Sequence, residues 1–244
     1  MLDLSDITLV TIDGSGNPGE TKRGTDRDTN NIFDVIDICT RRINFGSVIH
    51  ITASDTVQNK SNINTVWHID KLSYPEYNAF CISNLNQYVK TKFCLIVQTD
   101  GFICNPAGWT NDFYNYDYIG CPWIDESGNN PFSWIPEPKS KYQVGCGGFS
   151  LRSKHLLEIG SYIDKDIILK MAHNGVGEDV MICIIYRQFF ENNDCKFPTP
   201  EFAKKFALGS TPYHALPPGA LNTTFGFHAG TYIPEAEKIM ASYE

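Results

Sequence analysis

Long apolar runs are missing from this sequence. None of its 244 residues falls in an apolar run near the ~20 residues that a membrane-spanning helix needs. The first residues, Met1 to Asp6, contain no basic residue and no apolar signal core, so we expect a protein that is not secreted. A hydrophobic content of 42% with 20% charged residues excludes a disordered chain. We therefore expect one cytoplasmic domain that spans residues 1–244.

Positive charge is also scarce. The net charge of −8 disfavours a large DNA-binding or RNA-binding surface, although a local basic strip stays possible. The eight cysteines include no Cys-x-x-Cys pair, and Cys81, Cys94 and Cys183 sit inside apolar runs. These features exclude a zinc site and a disulfide framework, and they predict small buried side chains in a reducing compartment.

Phosphate-loop signatures are absent as well. The turn-rich stretch Gly14 to Gly19 has neither the Gly-x-Gly-x-x-Gly spacing nor a Gly-Lys-Ser/Thr ending. We interpret it as a loop at the edge of a sheet, where it can touch a nucleotide.

The strongest local signal is the stretch Phe93 to Gly101. Its apolar residues end abruptly in Gln98-Thr99-Asp100-Gly101, which predicts a strand buried on both faces. Ligands bind beyond the carboxyl ends of such strands, where an acidic side chain can hold a metal ion. Asp100 either serves that purpose or merely starts a turn, and this stretch alone does not separate the two.

The first half of the chain alternates strands and helices. We predict strands at 7–13, 47–52 and 66–69, and helices at 30–43 and 77–89. Strand, helix and strand with short connections are typical of an α/β fold with a mostly parallel sheet. Asp13, Asp55 and Asp100 would then meet at one edge of a nucleotide-binding half, residues 1–104.

The second half, residues 105–244, has a different composition. Its first part is rich in aromatic side chains that either contact sugar rings or form ordinary core: Trp109, Tyr114, Tyr116, Tyr118, Trp123 and Trp134. A mobile loop is predicted from Asp125 to Pro138.

Three later landmarks follow. The glycines of Gln143 to Arg152 indicate close approach of the backbone to a ligand or to another strand. Ser153 is then predicted to cap a helix to about residue 159, and a loop leads to Asn174-Gly-Val-Gly-Glu-Asp179, which opens a helix over 180–190. Glu178 and Asp179 complement the helix dipole there or form part of a site. His228, between glycines and aromatics, is structural or a ligand.

With these landmarks in order, the chain resembles glycosyltransferases of the single-domain GT-A type. Gln98-Thr99-Asp100 matches a degenerate form of that family's Asp-x-Asp motif, with one acid missing. Gly147-Gly-Phe-Ser150, then Gly175-x-Gly-Glu-Asp179, then His228 resemble the site motifs of inverting β-galactosyltransferases, although the Trp of the second motif is absent. The resemblance implies a mixed, mostly parallel sheet flanked by helices.

Residues 60–230 are also similar to an uncharacterised family of glycosyltransferase-like proteins from bacteria and large viruses. The shared motifs are Gln-Thr-Asp-Gly, Gly-x-Pro-Trp, Gly-x-Gly-Gly-x-Ser-Leu-Arg, Glu-Asp and Phe-x-His. A viral member would act in the host cytoplasm.

These resemblances imply transfer of a sugar from a nucleotide sugar, most simply a UDP-sugar, to a hydroxyl of a glycan or glycoconjugate. Asp100 and His228 would hold Mn²⁺ or Mg²⁺, Mn²⁺ being the better match for an imidazole ligand. Asp179 would be the general base of an inverting reaction, and Glu178 would orient the acceptor. The expected donor contacts are Thr11, Asp13, Asp55, Gln98, Thr99, Gly147, Gly148 and Arg152.

Three alternatives remain open. The acceptor could be a hydroxymethylated base of viral DNA, held by a basic track: Lys139, Lys141, Arg152, Lys154, Lys204 and Lys205. The chain could be a carbohydrate-binding module without catalysis, for which the missing acid is the best argument. A nucleotidyltransferase would need a second metal-binding acid that the sequence does not place. The sequence fixes neither the sugar, the nucleotide and the acceptor nor the oligomeric state.

Overall fold

A computed structural model describes residues 1–17, 29–57, 62–123, 144–209 and 219–242. Several sequence predictions therefore lie outside the described residues. These are the end of the first loop (18–19), the predicted mobile loop (125–138), Trp134, Lys139, Lys141 and Gln143.

The described residues form a mixed six-stranded sheet and a separate two-stranded sheet. The strands in chain order are β1 (Leu2–Asp13), β2 (Ile43–Thr52), β3 (Thr65–His68), β4 (Phe93–Ile96), β5 (Tyr118–Ile119), β6 (Ser150–Ser153), β7 (Ala207–Gly209) and β8 (Gly226–His228). The large sheet has the order β3-β2-β1-β4-β6-β5. Its first four strands are parallel, and β6 is antiparallel to both β4 and β5. This arrangement confirms an α/β fold with a mixed, mostly parallel sheet.

Helices flank the sheet. They are α1 (Ile32–Thr40), α2 (Tyr74–Ala79), α3 (Lys154–Gly160), α4 (Lys165–His173), α5 (Glu178–Val180), α6 (Arg187–Asn192), α7 (Pro200–Phe206) and α8 (Ile233–Ala241). Among the described residues, no helix is long and apolar enough to cross a membrane.

Apolar layers cover both faces of the large sheet. Successive residues of a strand point alternately into these two layers. Leu9 of β1 belongs to the apolar layer that contains Val35 and Ile36 of α1. The next residue, Val10, belongs to the opposite layer, with Phe80 after α2. Continuous apolar runs in the sequence thus correspond to strands buried on both sides.

Several predicted elements differ from the observed ones. β4 ends at Ile96, because residues 98–101 form a tight turn. The helix predicted at 77–89 begins at Tyr74 and continues as a π segment and a 3₁₀ segment to Gln87. A second π segment (Met181–Ile185) interrupts the helix predicted at 180–190. The prediction of a loop between residues 159 and 174 is wrong, because α4 lies there.

The strand order reverses between β1 and β4. The chain builds β1, β2 and β3 outward in one direction, and it then returns to the other side of β1 to form β4. A crevice forms beyond the carboxyl ends of parallel strands at such a point, and ligands of open α/β sheets bind there. Asp13 and the 98–101 turn lie at this edge, and so does the start of antiparallel β6.

Candidate active site

The turn after β4 is held against the end of β8. Gln98 and Gly101 exchange backbone hydrogen bonds of 2.9 and 3.2 Å, which closes the turn with Thr99 and Asp100 at its tip. The N–H of Ala229 donates to the carbonyl of Asp100 at 2.9 Å. A Cβ on Gly101 would stand 2.6 Å from Cδ2 of His228, so a side chain there would displace the imidazole. The glycine lets the two segments touch.

Asp100 and His228 face each other at this contact. Their Oδ1 and Nε2 atoms are 3.6 Å apart, and the side chains keep 32% and 25% of their surface exposed. The amide of Gln98 donates to the hydroxyl of Tyr77 at 2.8 Å, which turns its oxygen toward His228, 3.4 Å away. Burial alone would lower the pKa of His228, but contacts with Cys146 and Asp100 raise it to about 9.

The Asp100 and His228 pair would suit a shared divalent cation, provided that the imidazole gives up its proton when the ion binds. Two ligands at right angles, each ~2.1 Å from an ion, are separated by ~3 Å, close to the observed separation. A carboxylate oxygen with an imidazole nitrogen suits Mn²⁺ better than Mg²⁺. The part of the chain that the structure describes contains no cluster of three or more His, Cys, Asp or Glu side chains that could hold a metal. A cation here would therefore need further oxygen ligands, supplied by a bound molecule and by water.

Gly147 and Gly148 join this pair to the acidic residues of α5. A Cβ on Gly148 would lie 2.2 Å from Nε2 of His228 and 2.3 Å from Oε1 of Gln98. A Cβ on Gly147 would lie 1.8 Å from Oε1 of Glu178. Both residues must be glycine because functional side chains occupy the space on either side. The sequence predicted a close approach to a ligand or to another strand, whereas the groups beside Gly147 and Gly148 are the side chains of Glu178, His228 and Gln98.

Asp179 lies beside the same glycines. Its Oδ2 accepts from the N–H of Gly147 at 3.1 Å, and its Oδ1 accepts from the N–H of Val180 at 2.8 Å. Burial, followed by the neighbouring Glu178 carboxylate, raises the pKa of Asp179 to about 6 in spite of these two donors. A carboxylate with this pKa stays mostly ionised at pH 7 and is a stronger base than an ordinary aspartate.

Glu178 has a different environment from its neighbour. Its Oε1 accepts from Nη2 of the fully buried Arg152 at 2.6 Å. Arg152 also donates through Nε to the hydroxyl of Ser150 at 3.1 Å, and through Nη2 to the carbonyl of Gly147 at 3.4 Å. The N–H of Glu178 donates to Oδ1 of Asn78 at 2.6 Å. Arg152 is therefore engaged with Glu178, Ser150 and Gly147, and its fully buried side chain does not form part of a surface track for DNA.

Two of the predicted donor contacts have other partners. Thr11 is fully buried, and its hydroxyl shares a 2.7 Å hydrogen bond with Nδ1 of His50, so it does not reach the crevice. Oδ1 of Asp13 accepts from the N–H groups of Ser15 and Gly16 at 3.0 and 3.1 Å, which shapes the loop after β1. Asp13 thus lies at the crevice edge, but part of its hydrogen-bonding capacity is already used within the turn.

The remaining predicted residues lie at the same edge of the sheet. Asp55 is exposed beyond the end of β2. Thr99 is half-buried at the tip of its turn, and its carbonyl accepts from the N–H of Asn30 at 2.7 Å. The structure thus brings Asp100, His228 and Gln98 together next to Gly148, and it leaves Asp55 farther out on the sheet.

The predicted aromatic residues that the structure describes lie in the core or pack against it. Tyr118 and Trp123 are buried. Trp109 packs edge-to-face against Phe113 and Phe225 at centroid distances of 5.2 and 5.1 Å. Sequence analysis missed the residues of α2 that do reach the site: Tyr74, Tyr77 and Asn78. The available signal was the capping pattern Ser73-x-x-Glu76 with Pro75 inside it, which marks a fixed helix start.

Sequence comparisons show which family the chain belongs to. A search of curated proteins gave no match. The family model described as "Protein of unknown function (DUF5672)" matches residues 63–228, which is more than half of the chain. The matched range includes α2, the turn after β4, the paired glycines, Glu178, Asp179 and His228. The chain therefore belongs to the DUF5672 family.

Proposed function

We propose that this protein is a metal-dependent glycosyltransferase of the GT-A type. It would transfer a sugar from a nucleotide sugar, most simply a UDP-sugar, to a hydroxyl of a glycan or glycoconjugate with inversion at the anomeric carbon. One observation carries the proposal. The Asp100 and His228 pair and the Asp179 carboxylate converge on two adjacent glycines at the crevice where the strand order reverses.

Asp100 and His228 form the part of the proposed site that would bind the nucleotide-sugar donor. They would hold the cation, which as a Lewis acid would neutralise charge on the leaving diphosphate. Gln98 is fixed by Tyr77 with its oxygen toward His228, so it orients the imidazole. Gly148 lets the backbone pack directly against both groups, since a Cβ there would lie 2.2 Å from Nε2 of His228 and 2.3 Å from Oε1 of Gln98.

Asp179 belongs to the part of the proposed site that would bind the acceptor hydroxyl. Proton removal from the attacking hydroxyl needs an ionised group with a pKa near the working pH, and the raised pKa of Asp179 meets that requirement. A base on the acceptor hydroxyl favours direct displacement, in which the nucleophile attacks opposite the leaving diphosphate and the configuration inverts. Glu178 is already paired with Arg152, so its part is to hold α5 in place.

The test is turnover by the full chain with Mn²⁺ and a panel of nucleotide sugars, followed by release of free nucleoside diphosphate. We expect slow hydrolysis of one donor, lost with a chelator and in Asp100→Ala. Asp166→Ala, which removes an exposed carboxylate on α4, is the matched control and should hydrolyse at the wild-type rate.

Two negative results together would contradict the proposal. These are no turnover of any donor and no rise in melting temperature with any donor plus Mn²⁺. That outcome would favour a carbohydrate-binding module without catalysis.

A further inference from the structure

Tyr74 presents an aromatic face beside the proposed base. It is the first residue of α2 and is 60% exposed. A single exposed ring is ordinary on a protein surface, so its exposure alone means little. The position of Tyr74 is informative about sugar binding. Several aromatic residues were predicted from sequence to contact a sugar, and those that the structure describes do not lie at the crevice.

The hydroxyl of Tyr74 lies near Asp179, on the side of Gly177 where a Cβ would stand. The point that a Cβ on Gly177 would occupy is 2.7 Å from Oδ1 of Asp179 and 3.5 Å from the hydroxyl oxygen of Tyr74. The same point is 3.9 Å from Oδ1 of Asn78. The backbone of Gly177, with φ −73° and ψ 157°, is open to any residue, so conformation does not require a glycine here. A side chain at this position would instead press on Asp179, so the glycine lets oxygen atoms of Asp179, Tyr74 and Asn78 lie close together.

The backbone that carries Tyr74 is held at a fixed place relative to α5. Glu76 closes a capping box at the start of α2, and its carboxylate accepts from the N–H of Ser73 at 2.8 Å. Asn78 donates to the carbonyl of Tyr74 at 2.7 Å and accepts from the N–H of Glu178 at 2.6 Å. One amide side chain thus ties α2 to α5. This rigidity suits a binding platform, because little conformational entropy would be lost on binding.

The hydroxyl of Tyr74 is suited to hydrogen bonding. Burial of this group raises the pKa of Tyr74, and the carboxylates of Asp179 and Glu178 add to the increase against a hydrogen bond from Asn78. The phenol therefore stays neutral at physiological pH, and it can donate to one oxygen or accept from another.

We propose that Tyr74 is the platform of an acceptor subsite, with its ring packed against a pyranose and its hydroxyl and Asp179 contacting hydroxyls of that sugar. The apolar C–H face of a pyranose packs on an aromatic ring, and its hydroxyls would reach the neighbouring oxygen atoms of Tyr74 and Asp179. This inference rests on the proposed function, and it adds that the acceptor carries a sugar ring next to the attacking hydroxyl.

A DNA base could also stack on a tyrosine, but the charge around this ring disfavours DNA. Asp179 receives hydrogen bonds from the backbone N–H groups of Gly147 and Val180, and its carboxylate lies near the hydroxyl of Tyr74. A phosphodiester that followed a base to this ring would be repelled by Asp179, whereas an uncharged sugar would not.

The experiment uses the full chain with Mn²⁺ and the donor found by nucleotide release. Acceptors are methyl glycosides of galactose, glucose, mannose and N-acetylglucosamine, together with a single-stranded oligonucleotide containing 5-hydroxymethylcytosine. The variants are Tyr74→Ala and Tyr74→Phe, with Tyr162→Ala as control because Tyr162 is 77% exposed on another helix end. Binding of each acceptor is also followed by saturation-transfer NMR, which needs no turnover.

We expect Tyr74→Ala to raise the KM for one methyl glycoside by roughly tenfold or more, with a far smaller change in the KM for the nucleotide sugar. Tyr74→Phe should keep most of the binding, since the ring remains. Tyr162→Ala should change neither constant. A purely structural role of Tyr74 would instead lower the melting temperature and affect both constants together.

Failure of this inference is distinguishable from failure of the proposed function. If the donor is turned over but Tyr74→Ala changes acceptor KM no more than Tyr162→Ala, the subsite is overturned and the transferase stands. If no donor is turned over, saturation transfer to a methyl glycoside that is lost in Tyr74→Ala would still support the subsite. Binding of no glycoside, or Tyr74-dependent binding of the oligonucleotide alone, would overturn it.

Discussion

Two adjacent carboxylates show how environment separates the roles of single residues. Glu178 is paired with the guanidinium of Arg152, so one of its oxygens is already occupied. Asp179 accepts backbone N–H groups and keeps a raised pKa. Desolvation and a like charge raise a carboxyl pKa, whereas a paired cation opposes that increase. Asp179 is therefore the residue whose charge can change during a reaction.

Replacement of Asp179 tests the role of the base. In Asp179→Asn the side chain keeps its size but cannot take up a proton, so we expect transfer to fall by ~10²–10⁴-fold. Binding of UDP with Mn²⁺ should stay close to wild type, because the cation pair is intact. Transfer at more than a tenth of the wild-type rate would show that Asp179 is not the base.

The pH dependence of transfer provides a second test at the same residue. Only the ionised carboxylate accepts a proton, so the rate at saturating donor and cation should rise with pH through about 6 and level off above it. Rates measured between pH 5 and 8 would show the inflection, and the variant Asp179→Asn should lack it. An inflection near the ordinary carboxyl pKa of ~4 would contradict the proposed environment.

At the scale of elements, one buried ion pair joins β6 to α5. Arg152 and Glu178 are 0% and 7% exposed, and Nη1 of Arg152 has no hydrogen-bond partner among the described residues. Loss of one member of such a pair leaves an uncompensated charge.

We expect Arg152→Met to lower the free energy of unfolding by about 3–5 kcal/mol. The double variant Arg152→Met with Glu178→Leu should recover part of that loss, because the unpaired carboxylate is removed as well. Urea denaturation of the wild type, both single variants and the double variant would measure the coupling. Simple additivity of the two single effects would contradict a direct interaction between the side chains.

Elements with a strong local pattern could be predicted from sequence, and weakly patterned ones could not. The buried strands β1 and β4 follow from continuous apolar runs, and the start of α3 follows from Ser153, whose hydroxyl accepts from the N–H of Leu156 at 2.9 Å. α4 was missed because only Ile168 and Ala172 of its nine residues are buried, which leaves too narrow an apolar stripe. β7 and β8 have three residues each, too few to show an alternation.

At the scale of the whole molecule, sheet topology explains why part of the site could be predicted. The ends of β1, β2 and β4 share one edge because these strands are parallel, so Asp13, Asp55 and Asp100 could be placed there from sequence. The contact of His228 with Asp100 bridges distant parts of the chain, and no local pattern encodes it. Tyr74 was missed for the same reason, since its proximity to Asp179 depends on the packing of α2 beside α5.

The buried His50 makes the stability of the whole domain depend on pH. Burial lowers the pKa of His50 to about 4, with Asp13 opposing the decrease and His68 adding to it. The folded pKa is below the unfolded value of ~6.5, so the stabilisation is complete above pH 6.5 and is lost as pH falls toward 4.

We expect the free energy of unfolding to drop by about 2–3 kcal/mol more in the wild type than in His50→Gln between pH 7 and pH 4.5. Chemical denaturation at both pH values gives this difference. The raised pKa of Asp179 acts in the opposite direction, and its contribution cancels because both proteins contain it. An equal drop in the two proteins would show that His50 does not carry the effect.

The proposed function depends above all on Asp100 and His228 binding a cation that is shared with a nucleoside diphosphate. Calorimetric titration of UDP into the full chain, with and without Mn²⁺, tests this claim directly, and ADP, GDP and CDP serve as the comparison set. We expect Mn²⁺-dependent binding of one diphosphate to the wild type and to Asp179→Asn, with that binding lost in Asp100→Ala and in His228→Ala. Binding that is equally strong without Mn²⁺, or that survives in Asp100→Ala, would contradict it.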